Sequence, residues 1–304
     1  MKIFLTGATG FVGKCVTQRL MRDGHKLLIL AQEKDRRLSL KPLPGVNFIY
    51  GDLSDLPRWK NKLKAFKPEV AVHMAWSNIR DTGFEWSVKN LEESLSLIGF
   101  LNKIGCRLIV GAGTQWEYGH DKTGKIKENA SREPYNSLAA AKIGIELLGT
   151  KLALEANTRF IWLRLFTIYG PGQRPGALIP SVINSFKKGE AAEIKSGNAK
   201  HDFIYVEDVA DAIAMVIKKC RVQTAIFNVG SDKLDGVLKI AKLISKEFPG
   251  SRINLANEKT AKGKQHIVTG LYADIGAIKK ATGWRPKTSI AAGVKKTVSY
   301  FKNI

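Results

Sequence analysis

Thr6-Gly7-Ala8-Thr9-Gly10-Phe11-Val12-Gly13 follows the apolar run Ile3-Phe4-Leu5, and its reading decides how the rest of the chain is understood. Gly7 and Gly10 lack a Cβ, so the backbone turns sharply and brings its N–H groups against a pyrophosphate. Phe11, Val12, Cys15, Val16 and Leu20 recur at helical spacing. The turn therefore opens into a helix whose positive N-terminal end faces the phosphates. Gly13 lets that helix lie close to the first strand. A strand, a GxxGxxG turn and an amphipathic helix in this order predict a dinucleotide site, with Gly7, Thr9, Gly10, Phe11, Val12 and Gly13 as its contacts.

The 304 residues, 44% of them hydrophobic, suffice for one large α/β domain with an appendage. No apolar run reaches the roughly 18 residues of a membrane-crossing helix. The first apolar stretch enters a glycine turn, unlike a signal peptide. The expectation is a soluble, cytoplasmic protein with no membrane partner. Cys15, Cys106 and Cys220 are odd in number, widely spaced and set in helix or strand segments, which reads as reduced core thiols with no metal site and no disulfide framework. Lys plus Arg outnumber Asp plus Glu by 49 to 27, giving +22, a balance that favours anionic partners. The lysines are spread along helix surfaces, as in Lys60, Lys62, Lys64 and Lys67. No arginine-rich tract with interleaved aromatics stands out, so nucleic acid is not the expected partner.

Nearly continuous apolar runs recur at 2–6, 26–30, 46–50, 69–74, 106–112, 159–165 and 224–229. Helical patterns fill 11–23, 56–66, 86–103, 134–156, 176–188, 207–219, 234–247, 273–282 and 289–302. This alternation predicts a doubly wound parallel sheet of about seven strands, buried on both faces. Gly170-Pro171-Gly172 and Arg174-Pro175-Gly176 break the pattern after the sixth strand, so the chain leaves the sheet there for a smaller lobe. The expected division is 1–168 plus about 202–231 for the dinucleotide domain, and about 169–201 plus 232–304 for a sequence-interleaved substrate lobe.

Several spaced segments agree with one another: residues 6–13, Gly51-Asp52-Leu53, His73-Met74-Ala75, Gly113-Thr114 with Glu117-Tyr118-Gly119, Lys142 with Glu146, Arg164, Tyr169-Gly170-Pro171-Gly172, Asp202-Phe203-Ile204-Tyr205-Val206 with Asp208, and Gly283-Trp284-Arg285-Pro286. Together they resemble the extended short-chain dehydrogenase/reductase family, in particular its nucleotide-sugar epimerases, dehydratases and 4-ketoreductases. The resemblance covers nearly the whole chain and implies a Rossmann-type fold. It places Asp52 and Leu53 at the adenine of a nicotinamide cofactor, with Met74, Ala75 and Phe166 also against the cofactor, and leaves His73 as a packed strand-end residue. It further implies a homodimer through the helices near 86–103 and 134–156.

Ala31 ends the second strand, where an acid would bond a ribose 2′-hydroxyl, and Gln32, Lys34, Arg36 and Arg37 follow it. Glu33 and Asp35 are close in sequence. The reading favours NADP, with Arg36 among its contacts and NAD as the other option.

In the family a Ser or Thr, a Tyr and a Lys work together. The Tyr exchanges a proton with the sugar oxygen, and the Lys lowers the Tyr pKa and holds the nicotinamide ribose. Thr114 matches the hydroxyl residue and Lys142 the lysine. Four residues before Lys142, where the tyrosine belongs, stands Leu138. Tyr135 lies seven residues before Lys142, on the same face of an ideal helix but about 10 Å along it. Three accounts stand open. A working enzyme uses Tyr135, Thr114 or a water as proton donor; redox chemistry is lost while cofactor, sugar-nucleotide or RNA binding persists; or the reaction is a different one.

Gln115-Trp116 stands where the family's 4,6-dehydratases carry an Asp-Glu pair, which sets that reaction aside; because the cofactor reads as the phosphorylated form, which cells keep reduced, the resemblance favours a 4-ketoreductase, with a 4-epimerase as the alternative. The implied substrate is a nucleoside-diphosphate sugar. Its reacting ring would lie among Thr114, Trp116, Tyr135, Lys142, Phe166 and Thr167. Its diphosphate would lie near Arg174 and near Lys200-His201, which stand where the family often carries an arginine.

Overall fold

A computed structural model describes residues 1–32, 44–255 and 270–304. Seven strands form one parallel sheet: β1 (Lys2–Thr6), β2 (Lys26–Ala31), β3 (Val46–Tyr50), β4 (Val70–His73), β5 (Leu108–Thr114), β7 (Arg159–Leu165) and β12 (Thr224–Val229). Their order is β12-β7-β5-β4-β1-β2-β3. The remaining strands pair in twos: β6 (Gly124–Ile126) with β15 (Leu271–Ala273), β8 (Thr167–Tyr169) with β11 (Phe203–Tyr205), β9 (Ala192–Ile194) with β14 (Ile253–Leu255), and β10 (Lys200–His201) with β13 (Asp235–Gly236). The helices are α1 (Phe11–Arg22), α2 (Leu56–Phe66), α3 (Phe84–Lys103), α4 (Ser137–Glu155), α5 (Leu178–Lys187), α6 (Val206–Lys219), α7 (Val237–Ser245), α8 (Gly276–Thr282) and α9 (Ile290–Lys302).

Alternate side chains of a strand point to opposite faces. Ile3 and Leu5 therefore pack with Val16 and Leu20 of α1 and Val209 and Ile213 of α6, whereas Phe4 packs with Trp59 of α2, Leu97 and Ile98 of α3 and Ile145 of α4. Both faces are apolar because both are covered. A separate core joins α5, α7 and α9 through Ile179, Val182, Ile240, Ile244, Val294 and Val298.

The start of α4 corrects the sequence reading. Asn136 is extended (φ −156°, ψ 177°) and its side chain accepts the Ala139 N–H at 3.0 Å, so the helix begins at Ser137. Pro134 and Tyr135 precede this cap. Tyr135 therefore does not share a helical face with Lys142.

Two buried carboxylates, Asp202 before β11 and Asp208 in α6, tie down the C-terminal segments. Asp208 accepts the N–H groups of Lys287 and Thr288 at 3.1 and 3.0 Å, and its carbonyl accepts the Trp284 indole N–H at 3.1 Å. Asp202 accepts Ser231 N–H at 2.5 Å through one oxygen and Ala273 N–H at 2.9 Å through the other. Burial pushes the Asp202 carboxyl up to about 6, against the lowering effect of these bonds. Asn in its place offers a single acceptor, leaving one N–H facing an amide NH₂. Asp202→Asn should cost about 1–3 kcal/mol. Because the folded pKa lies above the ordinary value of 3.8, the proton-linked stability of the wild type is full below that value and lost as pH rises through about 6. Thermal midpoints measured across this window should show that component in the wild type and not in Asp202→Asn.

Candidate functional site

The site gathers at the carboxyl ends of the central strands, where β1 and β4 lie side by side and the connections diverge to the two faces of the sheet. Gly7 has φ +71°, and a Cβ there would lie 2.7 Å from Ala75 N and Met74 C. A Cβ on Gly13 would lie 2.6 Å from Ala8 Cα and closer still to Gly7 O. The turn, the segment after β4 and the start of α1 thus touch backbone to backbone. Gly10 caps α1 with no side-chain hydrogen bond, so the first amides of the helix have no side chain laid across them. Thr9 is buried and Phe11 and Val12 are half-buried around this end. A diphosphate fits this cradle, since it needs free N–H groups and close backbone approach.

On the far side of β1, Asp52 caps the turn Leu53–Asp55 by accepting Ser54 N–H at 3.2 Å, and it also accepts the Gln32 amide at 2.8 Å. Partial burial works to raise its pKa, but the bonds from Gln32 and Ser54 win and hold the carboxyl below its usual value. Leu53 beside it is buried. Arg36 lies outside the described residues, as do Glu33, Lys34, Asp35 and Arg37.

His73 ends β4 in a directed chain. Ser94 Oγ donates to Asn90 O at 2.6 Å, so it accepts from His73 Nε2 at 2.9 Å, and His73 Nδ1 in turn accepts the Thr6 hydroxyl at 2.7 Å. This assigns the neutral Nε2–H tautomer. Burial first, and then the Lys142 charge, push the imidazole down to about 3. With both nitrogens engaged, His73 is a structural residue. Thr6 Oγ1 also accepts the Ala75 N–H at 3.3 Å, fixing the segment that follows.

At the end of β5, Thr114 and Glu117 form a reciprocal cap: Thr114 Oγ1 accepts Trp116 N–H at 3.3 Å, and Glu117 Oε1 accepts Thr114 N–H at 2.9 Å. Glu117 is wholly buried and also accepts from Trp162 Nε1 at 3.0 Å and Arg164 Nε at 2.7 Å. Arg164 reaches Glu128 O at 2.9 Å, and Glu146 is paired with Arg132. Lys142 comes from α4 onto the same strand, its Nζ donating to Ala112 O at 2.6 Å, two residues before Thr114. The ammonium stands 4.5 Å from the Trp76 ring centroid and 5.9 Å from that of Trp162. Burial brings it down to about 8, against the opposing pull of Glu117.

Leu138, one turn earlier on α4, is buried. Tyr135 packs instead beside Trp116, with ring centroids 5.8 Å apart, and edge-on to His120 at 5.2 Å. Phe166 is buried against Tyr118, and Thr167 Oγ1 accepts the Gln115 amide at 3.2 Å. The other proposed substrate contacts sit on different elements. Arg174 is exposed in the loop between β8 and α5, while Lys200 is exposed and His201 half-buried on β10, the His201 ring edge-on to Phe203 at 5.6 Å.

Sequence reading named Thr114 and Lys142, and the structure sets Lys142 against the strand that ends at Thr114. That reading named Glu117, Glu146 and Arg164 only as motif members, and it missed the tryptophans around Lys142, because Trp76 and Trp162 have no spacing relation to that residue. Cys106 is buried and its thiol is pushed up to about 12 by burial; Cys15 is partly buried, its thiol raised to about 11 by burial and Glu207. Neither is a reactive thiolate. Among the described residues no helix is long and apolar enough to cross a membrane.

Comparison with known proteins places this geometry. Residues 3–230 match the model of the NAD dependent epimerase/dehydratase family. An uncharacterized UDP-glucose epimerase of Bacillus subtilis is 25% identical over 320 residues, spanning 100% of this chain and 99% of the relative. The dTDP-D-glucose 4,6-dehydratase of Homo sapiens is 24% identical over 326 residues, spanning 99% and 90%. Among solved structures, UDP-glucose 4-epimerase with UDP-glucose from Thermotoga maritima superimposes with a TM-score of 0.85 at 23% identity, covering 100% of this chain and 99% of that one. UDP-N-acetylglucosamine 4-epimerase from Methanobrevibacter ruminantium, in complex with UDP-N-acetylmuramic acid, gives 0.86 at 21%, covering 99% and 98%. These two structural matches establish the fold.

Proposed function

The chain belongs to the NAD-dependent epimerase/dehydratase family, and from that premise we propose that it is a nicotinamide-dependent 4-ketoreductase of a nucleoside-diphosphate sugar. The observation that carries the reading is the convergence of the glycine cradle after β1 and β4 with Thr114 at the end of β5, onto which Lys142 reaches from α4. A bound nicotinamide dinucleotide supplies the hydride exchanged with the sugar C4. Gly7, Gly10 and Gly13 would admit its diphosphate, Asp52 and Leu53 its adenine, and Lys142 its ribose beside the reacting carbon. Thr114 keeps a hydroxyl proton to offer the sugar oxygen, because its Oγ1 acts as acceptor toward Trp116 N–H. Trp116 and Tyr135 give an aromatic wall to the sugar, and Arg174 and Lys200 positive charge to the diphosphate. Ala31 at the end of β2 supports NADP. The exposed Leu147 and Leu148 on α4 support a homodimer through α3 and α4.

A 4-epimerase is the second reading, favoured by the Bacillus subtilis relative. A dehydratase is disfavoured, since the Gln115 amide is neutral and bonded to Thr167. The test is calorimetry with NAD and NADP, followed by incubation with UDP- and dTDP-hexoses. The expected results are tighter binding of NADP and hydride exchange at C4. Tighter binding of NAD refutes the NADP preference, and binding of neither cofactor refutes the function.

A further inference from the structure

The absence of a hydroxyl one turn before Lys142 leaves the reacting oxygen without its usual acid, and the surroundings leave few substitutes. Leu138 is aliphatic and buried. Tyr135 lies beyond the α4 cap, packed on Trp116 and His120. His73 has both nitrogens engaged within the fold. Thr114 is an alcohol, a far weaker acid than an ammonium ion.

We propose that Lys142 itself exchanges the proton with the substrate's reacting oxygen, acting as the catalytic acid in reduction and the base in oxidation. This rests on the reaction proposed above. The ammonium carries three N–H groups, and Ala112 O takes one of them at 2.6 Å. Among the described residues no carboxylate pairs with it. Glu117, facing it from the turn after β5, is engaged by Thr114, Trp162 and Arg164. Glu146, one turn on along α4, is held by Arg132 and Arg164, and His73 from β4 is neutral. The remaining neighbours are the Trp76 and Trp162 faces, which attract a cation without accepting its proton. Burial in this setting brings the ammonium to about 8, where it both gives and regains a proton near neutral pH.

In reduction the carbonyl carbon accepts hydride from a reduced nicotinamide and the C=O π bond breaks. The oxygen takes a proton from the Lys142 ammonium to become a hydroxyl. The resulting neutral amine is reprotonated by water. Oxidation runs the same exchanges backwards.

The test uses the full chain with NAD or NADP and UDP-glucose or dTDP-glucose as oxidation substrates, read by formation of reduced cofactor. Lys142→Arg keeps a cation that does not release its proton. At saturating cofactor it should lose about 10²- to 10⁴-fold in turnover. Wild-type oxidation should rise with pH through a midpoint near 8, because the neutral amine is the base. Tryptophan fluorescence, measured without any cofactor, should show the same midpoint and lose it in Lys142→Met. Should the arginine variant fold poorly, Lys142→Ala rescued by added ethylamine tests the same point. Turnover retained in Lys142→Arg, or no fluorescence midpoint near 8, overturns the assignment alone. Cofactor binding with no turnover of either sugar nucleotide by the wild type overturns the proposed reaction, and the assignment with it.

Discussion

Arg164→Met is expected to lower the unfolding free energy by about 3–5 kcal/mol, the range for removing one partner of a buried ion pair. The Arg164 and Glu117 side chains are 1% and 0% exposed, so water cannot take the place of the lost guanidinium. Glu117 would keep the Thr114 and Trp162 donors but lose its ionic partner, a bond of 2.7 Å. The Glu128 carbonyl would lose its 2.9 Å donor, and the Tyr118 ring the guanidinium 4.6 Å from its centroid. Urea unfolding with an unchanged slope is the measurement. Adding Glu117→Gln should recover part of the loss, because the stranded charge is then gone. A loss below about 1 kcal/mol would show that the pair contributes only what a surface bridge does. Since Glu117 also holds the Thr114 amide, turnover should fall alongside stability.

Gly13→Ala is expected to raise the dissociation constant of the nicotinamide cofactor at least tenfold, about 1.4 kcal/mol, and to cost about 1–3 kcal/mol of stability by overpacking. The new methyl would meet Ala8 Cα at 2.6 Å and Gly7 O more closely, and both are backbone atoms that cannot rotate away. The helix must lift from the turn, displacing the amides proposed to face the diphosphate. Calorimetric titration alongside thermal unfolding separates the two effects. Unchanged cofactor affinity would remove the glycine turn from the binding site. Gly24 is the control: its Cβ would meet nothing within 4 Å, although its φ of +75° carries a backbone strain of its own, so its substitution should leave affinity alone.

The parallel sheet was legible because its strands are buried on both faces and so read as continuous apolar runs, as in Ile3-Phe4-Leu5 and Phe160-Ile161-Trp162-Leu163. Strand bounds and most helix bounds follow the sequence reading within a few residues. At the start of α4 a three-residue difference matters, because one side chain, Asn136, closes the helix at Ser137 and leaves Tyr135 outside it, and no hydrophobic periodicity marks that choice. Lys142 and Thr114 were legible as motif residues, yet the rings around Lys142 were not: Trp76 and Trp162 come from the segment after β4 and from β7, tens of residues away. Local pattern alone therefore determined the sheet, the glycine turn and the candidate residues, since periodicity and missing Cβ atoms act over one or two turns of chain. Which side chain can move a proton was decided only by tertiary structure, because the acidity of Lys142 depends on the water excluded from it and on the charges and ring faces that distant segments bring against it.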